Sequence, residues 1–144
     1  MILTGDMINF DNHTDFDLKN ELDHTAWLSS VIKSENYKEG DLTVVFCDDA
    51  YLHSLNLKFL GHDYFTDILT FNYNVGSEVN GDICISVERV KENALEYNTS
   101  FERELARVLV HGVLHLCGHK DLTQAQKLDM RTKENFYLSS LFSQ

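Results

Sequence analysis

Apolar positions recur along the chain in two rhythms, one near four residues and one near two. In DLKNELDHTAWLSSVIKSENY, 17 to 37, Leu18, Leu22, Trp27, Leu28, Val31 and Ile32 fall mostly at helical spacing. This predicts a helix with Asp17 as N-cap and Gly40 just beyond its end. LTVVFC, 42 to 47, is a β-branched run of strand length, punctuated by Asp48 and Asp49. AYLHSLNLKFLG, 50 to 61, predicts a short helix closed by Gly61. DILTFNYN, 67 to 74, and DICIS, 82 to 86, are strand-like, and the intervening VGSEVNG has turn chemistry, so the two are expected to pair antiparallel. Three helices follow: 87 to 98, then 100 to about 117 capped by Ser100, then 123 to 142 capped by Thr123. Glu102 and Glu104 sit in the first turn of the middle one, where acids suit the helix dipole.

Strands alternating with helices, with helices last, predict an α/β (α+β) domain: a small mixed sheet packed against helices, spanning 1–144 as one layered unit. A chain of 144 residues with 43% apolar content is long enough for a core, and that content excludes disorder. No window reaches the ~18 uncharged apolar residues of a membrane span, so no membrane partner is expected. MILTGDMINF has neither a basic n-region nor a long apolar stretch, so no signal peptide is expected. Cys47, Cys84 and Cys117 are odd in number and widely spaced, which points to reduced thiols and a cytoplasmic location. The net charge of −11 is uneven. Residues 1 to 88 carry 4 Lys and Arg against 16 Asp and Glu, and residues 89 to 144 carry 8 against 7. Loose polyanion binding is disfavoured over the first part, while the second leaves room for a local cationic groove.

The chemistry concentrates in HGVLHLCGHKD, 111 to 121. His111 and His115 stand one helical turn apart at the edge of the apolar arc formed by Leu105, Val108, Leu109, Gly112, Val113 and Leu116, so both rings can converge on one ion. His119 on a continued helix would lie about 12 Å along the axis from His111, too far for bonds of about 2 Å. The chain must therefore turn back, and Gly118 permits it by entering the left-handed region. The return path brings Asp121 beside the histidines as the favoured third ligand, with His119 as the alternative.

HGVLHLCGHKD resembles the signature HGxLHLxGYDH of the YbeY family of bacterial endoribonucleases. LNLKFLGHDYFTDILTFNY, 55 to 73, resembles that family's LNxxYRxxxxxTDVLSF, and GDICIS, 81 to 86, its GDIxIS strand. The resemblance implies a small α/β fold with a metal site on the long helix. It also implies metal-dependent, single-strand-specific RNA cleavage in ribosomal RNA maturation and ribosome quality control. Expected partners are single-stranded or precursor ribosomal RNA, with ribosomal proteins or assembly GTPases beside it. His111 and His115 match the family's first two metal-binding histidines; the third falls on Asp121, and the family's arginine, thought to engage substrate, falls on Leu60.

In HExxH proteases the residue after the first histidine is a glutamate acting as base. Here it is Gly112, which argues against proteolysis and suits close packing. Two histidines and a carboxylate suit one zinc ion, with iron, nickel or manganese also compatible. Such an ion can polarise a phosphoryl oxygen and acidify water, so RNA cleavage need not require a protein base. Arg107 and Lys120 are the candidate cations for substrate phosphate in place of Leu60; the competing role for each is an ordinary solvated or paired charge. Thr66 and Asp67 are expected to orient strand and site by hydrogen bonding. Tyr64, Phe65 and His62 would stack on bases if exposed, with packing as the competing role, and His13, His24 and His53 lack partners at ligand spacing. Two other functions compete with the nuclease: a non-catalytic ribosome-assembly factor with a structural metal, and a metal-dependent hydrolase of another substrate.

Overall fold

The structure, a computed structural model, describes residues 8–142. In chain order it contains β1 (Ile8–Asn12), α1 (Glu21–Ser34), β2 (Lys38–Cys47), α2 (Asp49–Leu60), β3 (Ile68–Asn72), β4 (Glu78–Ser86), α3 (Val87–Glu96), α4 (Phe101–Leu116) and α5 (Gln124–Leu141). The MILTGDM segment lies outside the described residues.

The four strands form one sheet in the order β1-β2-β4-β3. β1 and β4 flank β2 in parallel, and β3 runs antiparallel to β4. Alternation sorts side chains to two faces. Leu42, Val44 and Phe46 of β2, with Ile83 and Ile85 of β4, meet α1 and α4. Cys47 and Cys84 face the other way, toward Leu52 of α2 and Leu69 of β3. α4 is buried almost all round because α5 and α3 cover the side it turns from the sheet. This is the expected mixed sheet against helices.

α4 lies close on the sheet at Gly112. A Cβ there would come within 2.8 Å of Ile68 Cδ1 and 3.1 Å of two Ile83 carbons, so the packing role expected for this glycine holds. Side-chain caps also fall where the pattern put them: Ser100 accepts from the Arg103 amide, and Thr123 and Gln126 form a capping box at α5.

Several boundaries differ. α1 begins at Glu21, not near Asp17; its N-cap is Asn20 in the left-handed region, without a side-chain cap bond. Leu22 is then thrown into solvent, although its spacing put it on the apolar stripe. The helix stops at Ser34 because Asn36 takes positive φ (66°), whereas Gly40 lies inside β2. β4 starts at Glu78, so the last four of the seven residues of VGSEVNG are strand and the turn narrows around Gly76 (φ 57°). β1 was not expected at all.

Candidate metal centre

α4 carries one polar stripe through its buried surface: Glu104, Arg107, His111 and His115, at steps of three and four residues. The helix then ends in a Schellman turn. The Gly118 amide donates to the His115 carbonyl (3.0 Å) and the His119 amide to the Leu114 carbonyl (3.0 Å), with Gly118 at φ 92°. The chain doubles back as expected, and the return path delivers Asp121. Its Oδ2 lies 3.3 Å from His111 Nε2 and 3.4 Å from His115 Nε2, and the two Nε2 atoms are 3.0 Å apart. His119 is not part of this triangle; its ring turns away to Glu35 (2.6 Å).

The hydrogen bonds behind the rings fix what faces inward. His111 Nδ1 sits 2.6 Å from Glu134 Oε2, and His115 Nδ1 sits 2.9 Å from the His119 carbonyl oxygen. Carboxylate and carbonyl only accept, so both Nδ1 atoms carry a proton, and the neutral form of each ring presents its lone pair at Nε2. Two imidazole lone pairs and a carboxylate oxygen thus converge with no donor between them. Donors bonded tetrahedrally at about 2.0–2.1 Å stand about 3.3–3.4 Å apart. The observed edges of 3.0–3.4 Å are close to that, so the group could hold a metal ion.

Two acids hold this geometry in place, and the sequence reading missed both. Glu134, 2% exposed, reaches from α5 to His111, and also pairs with Arg107 (3.4 Å) and Arg131 (3.6 Å). Burial works to raise its pKa, but the hydrogen bond and proximity of His111 and the charges of Arg107 and Arg131 outweigh burial and hold it below the usual carboxylate range. Glu35, just past α1, receives His119 on one oxygen and Lys133 (3.1 Å) and Tyr137 on the other. Burial opposes its ionisation too, yet the hydrogen bonds from Tyr137, His119 and Lys133 lower its pKa. Glu35 therefore pins the return loop between His115 and Asp121. A signal for both existed: Glu35 follows Leu28, Val31 and Ile32 on the buried stripe of α1, and Glu134 sits on that of α5 with Met130, Tyr137 and Leu138.

Because Gly118 aims that loop, Gly118→Val should strain a φ of 92° by about 1–3 kcal/mol. The expected outcome is weaker binding of added divalent metal with the helices retained, read by chelator competition alongside circular dichroism.

His111, His115 and Asp121 line a cleft of about 410 Å³ together with Leu60, His62 and Tyr64. Leu60 brings no charge to it. Arg107 does not line it: its guanidinium grips both oxygens of buried Glu104 (2.9 and 2.6 Å), reaches Glu134, and stands 4.0 Å from Asp67. It braces the acids rather than standing free for phosphate. Lys120 is exposed and in no salt bridge among the described residues, but it does not line the cleft either. Asp67 does, with Oδ2 accepting from Asn93 (3.0 Å); burial raises its pKa despite Arg107 and His111 nearby. Thr66 Oγ1 donates to the Ile68 carbonyl (3.3 Å), tying the start of β3. Phe65 is exposed but packs beside His53. His13 and His53 pair with Asp11 and Asp63, and His24 bonds the Asn20 carbonyl. The three cysteines are free and buried, which pushes the Cys47 and Cys117 thiols up to about 12 and Cys84 to about 11, so none is a reactive thiolate.

The model of the family described as endoribonuclease YbeY matches residues 7–142. The chain belongs to the YbeY family. It is 54% identical over 129 residues to the endoribonuclease YbeY of Flavobacterium johnsoniae, spanning 90% of this chain and 93% of that one. The YbeY relative of Cytophaga hutchinsonii is 44% identical over 131 residues, spanning 90% and 92%. The solution structure of a Thermotoga maritima protein superposes with a TM-score of 0.65 at 29% identity, covering 92% of this chain and 87% of that chain. The resemblance read from the three motifs and the fold it implied therefore both hold. No helix among the described residues is long and apolar enough to cross a membrane.

Proposed function

We propose that this chain is a zinc-dependent, single-strand-specific endoribonuclease acting in the cytoplasm on ribosomal RNA precursors, in maturation and quality control. The observation that carries the reading is the triangle of three converging Lewis bases lining a cleft, in a chain whose relatives are named endoribonucleases. Structural zinc takes four protein ligands; three beside an open cleft is the donor count of a catalytic site.

His111 Nε2, His115 Nε2 and Asp121 Oδ2 would hold the ion, and a divalent ion there would supply Lewis acidity toward a phosphoryl oxygen or water. Glu134 and the His119 carbonyl keep the two rings turned so that Nε2, not Nδ1, faces the cleft. Asp67, whose pKa burial raises, lines the same cleft and is held there by the Asn93 side-chain amide, which donates to its Oδ2. Of the two candidate cations, Lys120, one residue from Asp121 and outside the cleft lining, is the one left exposed.

The absence of Lys or Arg from the cleft among the described residues favours the competing reading of an assembly factor that binds without cutting. One comparison separates them. Zinc-loaded protein should cleave single-stranded ribosomal RNA, lose cleavage with chelator, and regain it on restoring zinc. RNA bound by the loaded protein but never cut would establish the assembly factor instead.

A further inference from the structure

We propose that the stacked rings of His62 and Tyr64 form a platform that seats one unpaired nucleobase of the RNA beside the metal centre; this rests on the endoribonuclease reading above. α2 ends at Gly61 in the left-handed region (φ 68°), and the chain turns there to present His62 and Tyr64. Both are tethered to one buried residue of α2. The Asn56 side-chain amide donates to the Tyr64 carbonyl (3.0 Å), and the His62 amide donates to the Asn56 carbonyl (3.2 Å). Asn56 is 1% exposed, so the anchor is rigid where the rings are not buried.

The rings lie nearly parallel, at 18° with centroids 5.2 Å apart, and are locked by a bond between Tyr64 Oη and His62 Nδ1 (2.9 Å). Tyr64 nevertheless remains 55% exposed. A packing role would bury these rings against the core. Here they pack on each other and line the same cleft as His111, His115 and Asp121. A π-face held in place beforehand lowers the ordering cost of binding. A third flat ring added to an existing stack fits it, and a nucleobase is such a ring.

The cleft's charge points the same way. Neither Lys nor Arg lines it among the described residues, while Asp67 and Asp121 do, and the chain carries −11 overall. Single-strand binders ordinarily combine a cationic groove with aromatic platforms. This cleft has the aromatic half, so stacking must carry binding that cations carry elsewhere. The arrangement also selects strandedness, because a base inside a duplex has both faces covered and cannot enter the stack.

The probe is a 2′-O-methyl single-stranded oligonucleotide carrying one 2-aminopurine, whose fluorescence is quenched on stacking, mixed with the zinc-loaded full chain. Base–aromatic stacking of about 1–3 kcal/mol per base corresponds to roughly 5- to 150-fold in affinity. Tyr64→Leu, which keeps apolar bulk without the π-face, should bind that much more weakly and abolish the quench. Tyr64→Trp should bind at least as tightly as the unaltered chain. Zinc affinity should be unchanged in both variants, which also checks that they fold. For the unaltered chain, log affinity should fall with log salt no more steeply than the release of about two phosphates' counterions, a slope of about −1.4. Binding and quenching by Tyr64→Leu equal to the unaltered chain would overturn the platform while leaving the nuclease reading intact. A zinc-loaded chain that neither binds nor cuts any RNA would overturn that reading and the platform with it.

Discussion

Asp121→Ala is expected to cost more than about 100-fold in zinc affinity, because loss of an outer hydrogen-bond partner alone typically costs 10–100-fold. Without the carboxylate, two Nε2 atoms remain, and no other acid of the described residues completes a group of three with them. The same substitution should leave the metal-free chain's stability within about 0.5 kcal/mol, since Asp121 is partly exposed and, among the described residues, its charged-group neighbours are the two histidines. Chelator competition and denaturant unfolding read the two quantities separately. Asp121→His should retain the ion and raise the site's formal charge by one. Full zinc affinity in Asp121→Ala would mean that another donor, His119 first among them, swings in.

The second large effect belongs to Glu134. Glu134→Ala removes a buried carboxylate from His111, Arg107 and Arg131 together. Breaking a buried ion pair costs about 3–5 kcal/mol; the lower end is expected because Arg107 keeps its two-oxygen grip on Glu104. Zinc affinity should fall about 10–100-fold as the His111 ring loses its orienting partner. Glu134→Gln keeps an acceptor for the His111 Nδ1 proton, so it should recover most of the zinc affinity while recovering less stability. Equal zinc loss in both variants would show that charge, not ring orientation, is what Glu134 supplies.

The meeting of His111, His115 and Asp121 was legible because each step rests on local chemistry. Four-residue spacing pairs His111 with His115, and a glycine able to take φ 92° turns the chain at a fixed distance from Asp121. Helix starts with a side-chain cap, Ser100 and Thr123, were legible for the same reason. β1 was not: INFDN buries Ile8 fully and leaves three polar residues exposed, and its order comes from pairing with β2. The start of α1 failed because Asn20 caps by backbone conformation, which leaves no side-chain pattern to read. Arg107 looked like a free cation until the fold brought Glu134 and Asp67, 27 and 40 residues away, to its guanidinium. The buried acids themselves sat on apolar stripes in plain view, but an acid there announces a partner without naming it.

The central claim is that the chain reverses at Gly118 to let a carboxylate complete a site begun by two imidazoles. Anomalous diffraction across the zinc edge, from crystals of the zinc-loaded chain, tests it most directly. The account predicts one peak per chain, about 2.0–2.2 Å from His111 Nε2, His115 Nε2 and an Asp121 oxygen. A peak ligated by His119 in place of Asp121, or none between the two histidines, would contradict it.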